Sequence, residues 1–191
     1  VWTISNVTIF PNNTIEVFVQ NAATSNRAVA VSVYDGPGDF GGLALNEHWL
    51  TIGSASSTQS STTLAYIAKY DNSVSGSTDI FFDVTAGGDL NMCALAVTSG
   101  CFDAGIYVPQ GNIFQPGTTT AKTVTTYDLK IAGGVYGNAN SFKVGGDFTN
   151  TGGFTPGSGT LTFNATSSTH TINQTGAATS TLFHVTFGES G

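Results

Sequence analysis

Apolar residues fall along this chain in short bursts, each closed by a cluster of Gly, Pro, Asn or Asp. The first twenty residues hold two such runs, Trp2 to Phe10 and Thr14 to Val19, split at Pro11-Asn12-Asn13. Pro and Asn preset turn geometry, so the pair predicts a hairpin or a strand-turn-strand. After a polar loop, Ala28 to Tyr34 is apolar at almost every position. A run this short and β-branched suits a strand buried on both faces better than a helix. Beyond the long turn Asp35 to Gly42, further strands are expected at Leu43 to Leu45, Trp49 to Ile52, Thr62 to Tyr70, Ser77 to Thr85 and Leu90 to Thr98. Strands punctuated this often predict an antiparallel sandwich, jelly-roll or Ig-like, over residues 1–116.

From 117 to 191 the texture changes. Large apolar residues stand two apart (Leu129/Ile131, Phe142/Val144, Leu161/Phe163, Val185/Phe187) among Gly, Asn and Thr. Minimal period-2 strands at short intervals predict a second small β domain, β-solenoid-like or another sandwich. Tyr127 to Gly133 and Phe183 to Gly188 also read alike, which suggests a repeat offset by 56 residues or simply two strands of common pattern.

Composition narrows the classes. The 191 residues include 29 Thr, 24 Gly, 18 Ser and 14 Asn, but only 9% are charged. Helical bundles need charged, Ala-rich outer faces, whereas Thr packs well on pleated surfaces, so the chain is read as all-β. An apolar fraction of 40% excludes a disordered tail. The net charge of −7 and five scattered bases (Arg27, Lys69, Lys122, Lys130, Lys143) leave no stripe to neutralise phosphates. Nucleic acid and direct membrane insertion are therefore not expected.

Candidate chemistry is sparse. Cys93 and Cys101 are spaced for closure across a turn, as a disulfide in an oxidising compartment or as two small buried thiols. The three histidines show no ligand spacing to them, and neither a metal nor another cofactor is expected. Asn6, Asn12, Asn164 and Asn173 open N-x-Ser/Thr sequons, no more than a chain so rich in Ser and Thr gives by chance. The loops Asp35 to Asp39 and Asp71 to Ser73 carry oxygen ligands for a hard cation, or ordinary turn residues. Asp79 and Asp83, four apart, would share a strand face, the minimum a glycosidase needs. No Gly-x-Ser-x-Gly elbow occurs, and the chain is read as a non-enzyme. Trp49, Tyr66, Tyr70 and Tyr107 are candidates for sugar stacking or for core.

Two stretches carry a resemblance. Ser25-Asn26-Arg27 leading into Ala28 to Val31, then Gly41-Gly42-Leu43-Ala44-Leu45, Ile67 to Lys69 and Thr78 to Phe82, is similar to a β-sandwich module of secreted prokaryotic surface proteins. Gly146-Asp147-Phe148-Thr149-Asn150-Thr151-Gly152, Gly159 to Asn164 and Thr171-Ile172 resemble the Gly/Thr/Asn-rich repeats of the same large surface proteins and adhesins, with Ala165 replacing the usual Gly. The resemblance implies an extracellular, cell-surface role in structure or adhesion and carries over no catalytic residue.

The two ends suggest how such a protein assembles. Val1 to Phe10 holds no charge, and Leu182 to Phe187 holds only His184. Soluble edge strands are usually blunted by Lys, Pro or charge. Val1, Trp2, Ile4, Val7 and Ile9, with Phe183, Val185 and Phe187, are thus strand-exchange candidates in a pilus-like filament of identical copies, or in a repeat-bearing adhesin facing host surfaces. The alternative is a carbohydrate-binding module.

Overall fold

A computed structural model describes residues 8–21, 26–36, 42–54, 61–75, 77, 79–92, 104–155, 157–164, 169–175 and 184–188. It is a parallel β-solenoid of about six turns spanning residues 29–187, not a jelly-roll or Ig-like sandwich. The first strand, β1 (Thr14–Phe18), lies antiparallel on β2 (Val29–Val33) at one edge. From β2 onward most pairing is parallel. One turn supplies β3 (Trp49–Ile52) and, after two one-turn helices α1 (Leu64–Ile67) and α2 (Asn72–Ser75), the antiparallel pair β4 (Asp83–Val84) and β5 (Leu90–Asn91). The next three turns are regular: β6 (Gly105–Val108), β7 (Ile113–Phe114) and β8 (Thr123–Thr126); β9 (Leu129–Ile131), β10 (Gly134–Tyr136) and β11 (Ser141–Val144); β12 (Phe148–Asn150), β13 (Gly153–Thr155) and β14 (Thr160–Phe163). The last described turn has β15 (Ile172–Gln174) and β16 (His184–Phe187).

Stacked, these strands make three faces: seven strands in the order β1-β2-β3-β6-β9-β12-β15, three as β13-β10-β7, and six as β16-β14-β11-β8-β5-β4. Leu129 pairs with Phe148, Val135 with Phe154 and Phe142 with Leu161, a constant step of 19 residues. Position 116 falls between β7 and β8, two strands of one turn. Leu129 and Val185 sit on different faces, so their 56-residue offset is not a whole number of turns.

Each rung sends alternate side chains inward. Leu129 and Ile131 are buried while Lys130 is exposed, and Phe142 and Val144 are buried around an exposed Lys143. The period-2 pattern is thus the one expected, but its partner is the next turn and not a hairpin. Phe142, Phe154, Phe148 and Phe163 form an edge-to-face series with centroids 5.4–5.9 Å apart. Such contacts add about 0.5–1.5 kcal/mol each beyond burial. Further along, the inward column Val108–Ile131–Asn150–Gln174 turns from aliphatic to amide, and Asn150 Nδ2 donates to Gln174 Oε1 at 3.1 Å.

The corners are held by side chains that bond the backbone of a neighbouring turn. Asp128 Oδ1 accepts from Asp147 N–H (2.6 Å), and Asp147 Oδ1 accepts from Thr171 N–H (2.8 Å). Asn140, itself buried, accepts from Lys122 N–H and donates to the Gly117 carbonyl. Asn112 does the same to both backbone groups of Ser54. At another corner a Cβ on Gly152 would run into the carbonyl oxygen of Gly133 directly beneath, so only glycine lets the two turns approach there.

Several expected strands do not form. The segment Thr62 to Tyr70 contains α1, because Leu64 and Ile67, three apart, are its buried pair and Ala, Leu and Lys around them favour helix. Residues 77 and 79–82 are irregular and only Asp83–Val84 is strand, so Asp79 and Asp83 do not share a strand face. Leu43 to Leu45 form no strand, and β1 pairs with β2; most of the run before β1, residues 1–7, lies outside the described residues. The Ala28 to Tyr34 reading holds: every residue of β2 is buried.

Replacing Phe148 by Ala should cost about 3–5 kcal/mol in denaturant unfolding, because it empties a fully buried site between two phenyl rings. The neighbouring outward Thr149→Ala should stay within about 0.5 kcal/mol.

Candidate functional surfaces

Three surfaces combine exposure with chemistry. The first is the open end. β15 and β16 close the seven- and six-stranded faces, and no further strand flanks them among the described residues. All of β15 is exposed; in β16 only Val185 is half-buried, packed against the core. Phe187 stacks on Phe163 (5.3 Å, 18°) yet remains 70% exposed. Among the described residues the edge therefore has no strand beyond it and an uncovered ring beside it, with His184 the one ionisable side chain of β15 and β16. Of the strand-exchange candidates, Val185 and Phe187 lie on this edge and Ile9 lines a groove outside any strand. Val1, Trp2, Ile4, Val7 and Phe183 lie outside the described residues.

The second is the outward side of the seven-stranded face. The Trp49 ring lies against β6 where Gly105 leaves room, and a Cβ there would come within 2.5 Å of it. Two residues on, Tyr107 meets Trp49 edge-on at 6.4 Å. Lys130, in register with Tyr107 one turn along, sets its ammonium 5.1 Å from the centre of the Tyr107 ring. Thr149 and Asn173 continue the line at one residue per turn. Trp49 thus belongs to an outer cluster with Tyr107 and Lys130. Tyr66, on α1, carries Lys69 at 5.2 Å, and exposed Tyr70 borders the groove described next; of the four sugar-stacking candidates, Trp49 and Tyr107 touch each other.

The third is a groove of about 500 Å³ beside β1, lined by Ile9, Thr14, Glu16, Phe18, Tyr70 and Ile80 among others. Glu16 pairs in register with inward-facing Val31, which points its carboxyl into the solenoid's capped end. Both of its oxygens are buried without a hydrogen bond. Burial, and then the charge of Asp71, push this carboxyl up to about 8. Sequence reading passed over Glu16 because one acid in an alternating strand looks like an outward residue; only the antiparallel register with β2 turns it inward.

Other candidates are occupied by structural bonds. Asp71 accepts from Val74 N–H, Ser73 Oγ–H and Val84 N–H, so the Asp71 to Ser73 loop spends its oxygens capping α2 and tying it to β4. Asp79 Oδ2 accepts from Asn21 N–H. A smaller hollow of about 380 Å³ beside α1 is lined by Thr118, Thr119 and Thr120 among others, and its Lys122 ammonium donates to the Gly87 carbonyl. Asn12 sits in a turn at φ 68°, Asn164 is half-buried and Asn173 is exposed on β15. Asn6, Cys93, Cys101 and residues 37–39 of the Asp35 to Asp39 loop lie outside the described residues. Among the described residues no helix is long and apolar enough to cross a membrane.

Comparison with protein-family models, with curated proteins and with solved structures finds no match to this chain.

Gly105→Ala should displace the Trp49 ring, shifting tryptophan emission to longer wavelength and costing about 1–3 kcal/mol through overpacking. An unchanged emission spectrum would show that the ring does not rest on β6.

Proposed function

We propose that this chain is an extracellular, non-catalytic structural module of a cell-surface filament or repeat-bearing adhesin, and that it grows by adding a strand at the open end of its solenoid. One observation carries the reading: the β15–β16 edge is unpaired among the described residues, nearly free of charge and flanked by the 70%-exposed Phe187. Natural edges left in this state template pairing with another chain. Main-chain hydrogen bonds would supply affinity, and the alternation of half-buried Val185 with its exposed neighbours would supply register. The uncharged run Val1 to Phe10 of a neighbouring copy is the proposed donor. A head-to-tail contact of this kind does not close on itself and so propagates as a fibre. The Gly-Asp-Phe-Thr-Asn and Gly-Thr-Leu-Thr-Phe-Asn motifs, which resemble surface-protein repeats, fall on β12 and β14 of one turn and the residues leading into them, and support the same reading.

Full-length protein should form concentration-dependent assemblies by light scattering and electron microscopy. Deleting residues 1–10, or introducing Val185→Lys with Thr186→Pro at the edge, should leave monomers. A full-length chain that stays monomeric at high concentration, or assemblies indifferent to both changes, would exclude strand addition.

The Trp49–Tyr107–Lys130 cluster favours a second reading, a glycan-binding face. Turns repeat at about 4.8 Å, close to the length of one sugar ring in an extended chain, so Lys130, Thr149 and Asn173 present one polar group per ring. A glycan array should then show binding that Trp49→Ala abolishes. No binding by the unaltered protein to any glycan would dismiss it.

A further inference from the structure

Glu16 combines features that a purely structural residue on an edge strand does not need. Among the described residues its strand is the outermost of the seven-stranded face and pairs with one neighbour, β2. Its carboxyl points inward, its oxygens are buried without a donor, and the groove of about 500 Å³ runs beside it. The charged and titratable groups on surrounding elements give no relief. Asp71 at the start of α2 adds negative charge, and its own oxygens are taken by Val74, Ser73 and Val84. Asp79 is bonded to Asn21 N–H, and Asp83 on β4 has one buried oxygen, Oδ1, without a partner. Tyr70 borders the groove, and Tyr66 on α1 accepts from Thr14 Oγ–H through its backbone carbonyl. From β2 the facing side chains are Val29, Val31 and Val33. A charged carboxylate whose oxygens are buried without a donor, beside the negative Asp71, is disfavoured, whereas the neutral acid fits.

We propose that Glu16 is a proton-operated latch: its protonated carboxyl keeps β1 seated on β2, and its ionisation releases β1 and bares the edge of β2.

The sign follows from proton counting. With β1 open, Glu16 faces water and titrates near its ordinary value of 4.5; seated, it titrates near 8. Below 4.5 both states hold the proton and the latch is fully closed. Between 4.5 and 8 only the seated state holds it, so each unit of rising pH favours opening about tenfold; above 8 both states are ionised and the loosening levels off. The other end of the solenoid has no such acid among its described strands, so the two edges would differ in their response to pH. The inference holds whether or not the chain polymerises.

Amide hydrogen exchange on the full chain tests it. Protection factors for Glu16 to Phe18 and their β2 partners should fall about tenfold per unit between pH 5 and 7.5 and flatten beyond about 8, while those of β9 and β12 hold steady. In Glu16→Gln, neutral at every pH, the β1 profile should be flat; Glu16→Met, neutral and of similar length, repeats the test should the glutamine variant fold poorly. Parallel profiles in unaltered and substituted protein would overturn the latch. Protection restored at pH 8 by millimolar calcium, in the unaltered protein alone, would overturn it in favour of a bound cation.

Discussion

Every part of this molecule depends on one constraint: the backbone of each turn finds its hydrogen-bond partners in the turns above and below. A buried peptide group without a partner is costly, so a rung can exist only if the next one lies in register with it. That requirement sets Leu129, Phe148 and their counterparts in one inward column, whether the step from turn to turn is 23 residues (Ile106 to Leu129) or 19 (Leu129 to Phe148), and forbids a side chain at Gly152 where two corners touch. Asp128, Asp147, Asn112 and Asn140 serve the same requirement, since each reaches across to backbone groups that the bend of the corner leaves without strand partners.

The constraint also explains where irregularity is allowed. Between β3 and β6 the chain departs through α1, α2 and the β4–β5 pair, then returns so that Leu50 pairs with Ile106 in parallel. The seven-stranded face is continuous past it, from β3 to β6, while β5 joins the six-stranded face against β8. It is held inward by Leu64, Ile67, Phe81 and Phe82, all buried in the common core, and by Asp71, which joins α2 to β4. Variation is absorbed outside the rungs, and the rungs keep their register.

How much of this the sequence disclosed follows from the same physics. Alternation was legible wherever one side chain points in and the next out, as in Leu129-Lys130-Ile131 and Phe142-Lys143-Val144, and so was the buried run of β2. Pairing direction was not. A period-2 segment followed by Gly or Asn is equally compatible with a hairpin and with a corner, and in residues 1–116 the irregular excursion hid the repeat that the later turns show. The helix at Leu64–Ile67 was missed because four apolar residues in a row carry too little periodicity to separate the two kinds of element. Val185 and Phe187 were singled out from missing charge, and both lie on β16. The Trp49–Tyr107–Lys130 cluster was not, because its members come from three turns and meet only through register.

The backbone bonds that join one turn to the next run along the solenoid axis. A pull applied along that axis stretches them in line, and the strands of each rung share the load at once. A pull applied to one terminal strand instead opens its bonds one after another, like a zip. The protein is therefore mechanically anisotropic: stiff when loaded end to end through whole rungs, and weak when peeled from β16 or from β1. A tether that must bear tension would do best to grip a complete turn.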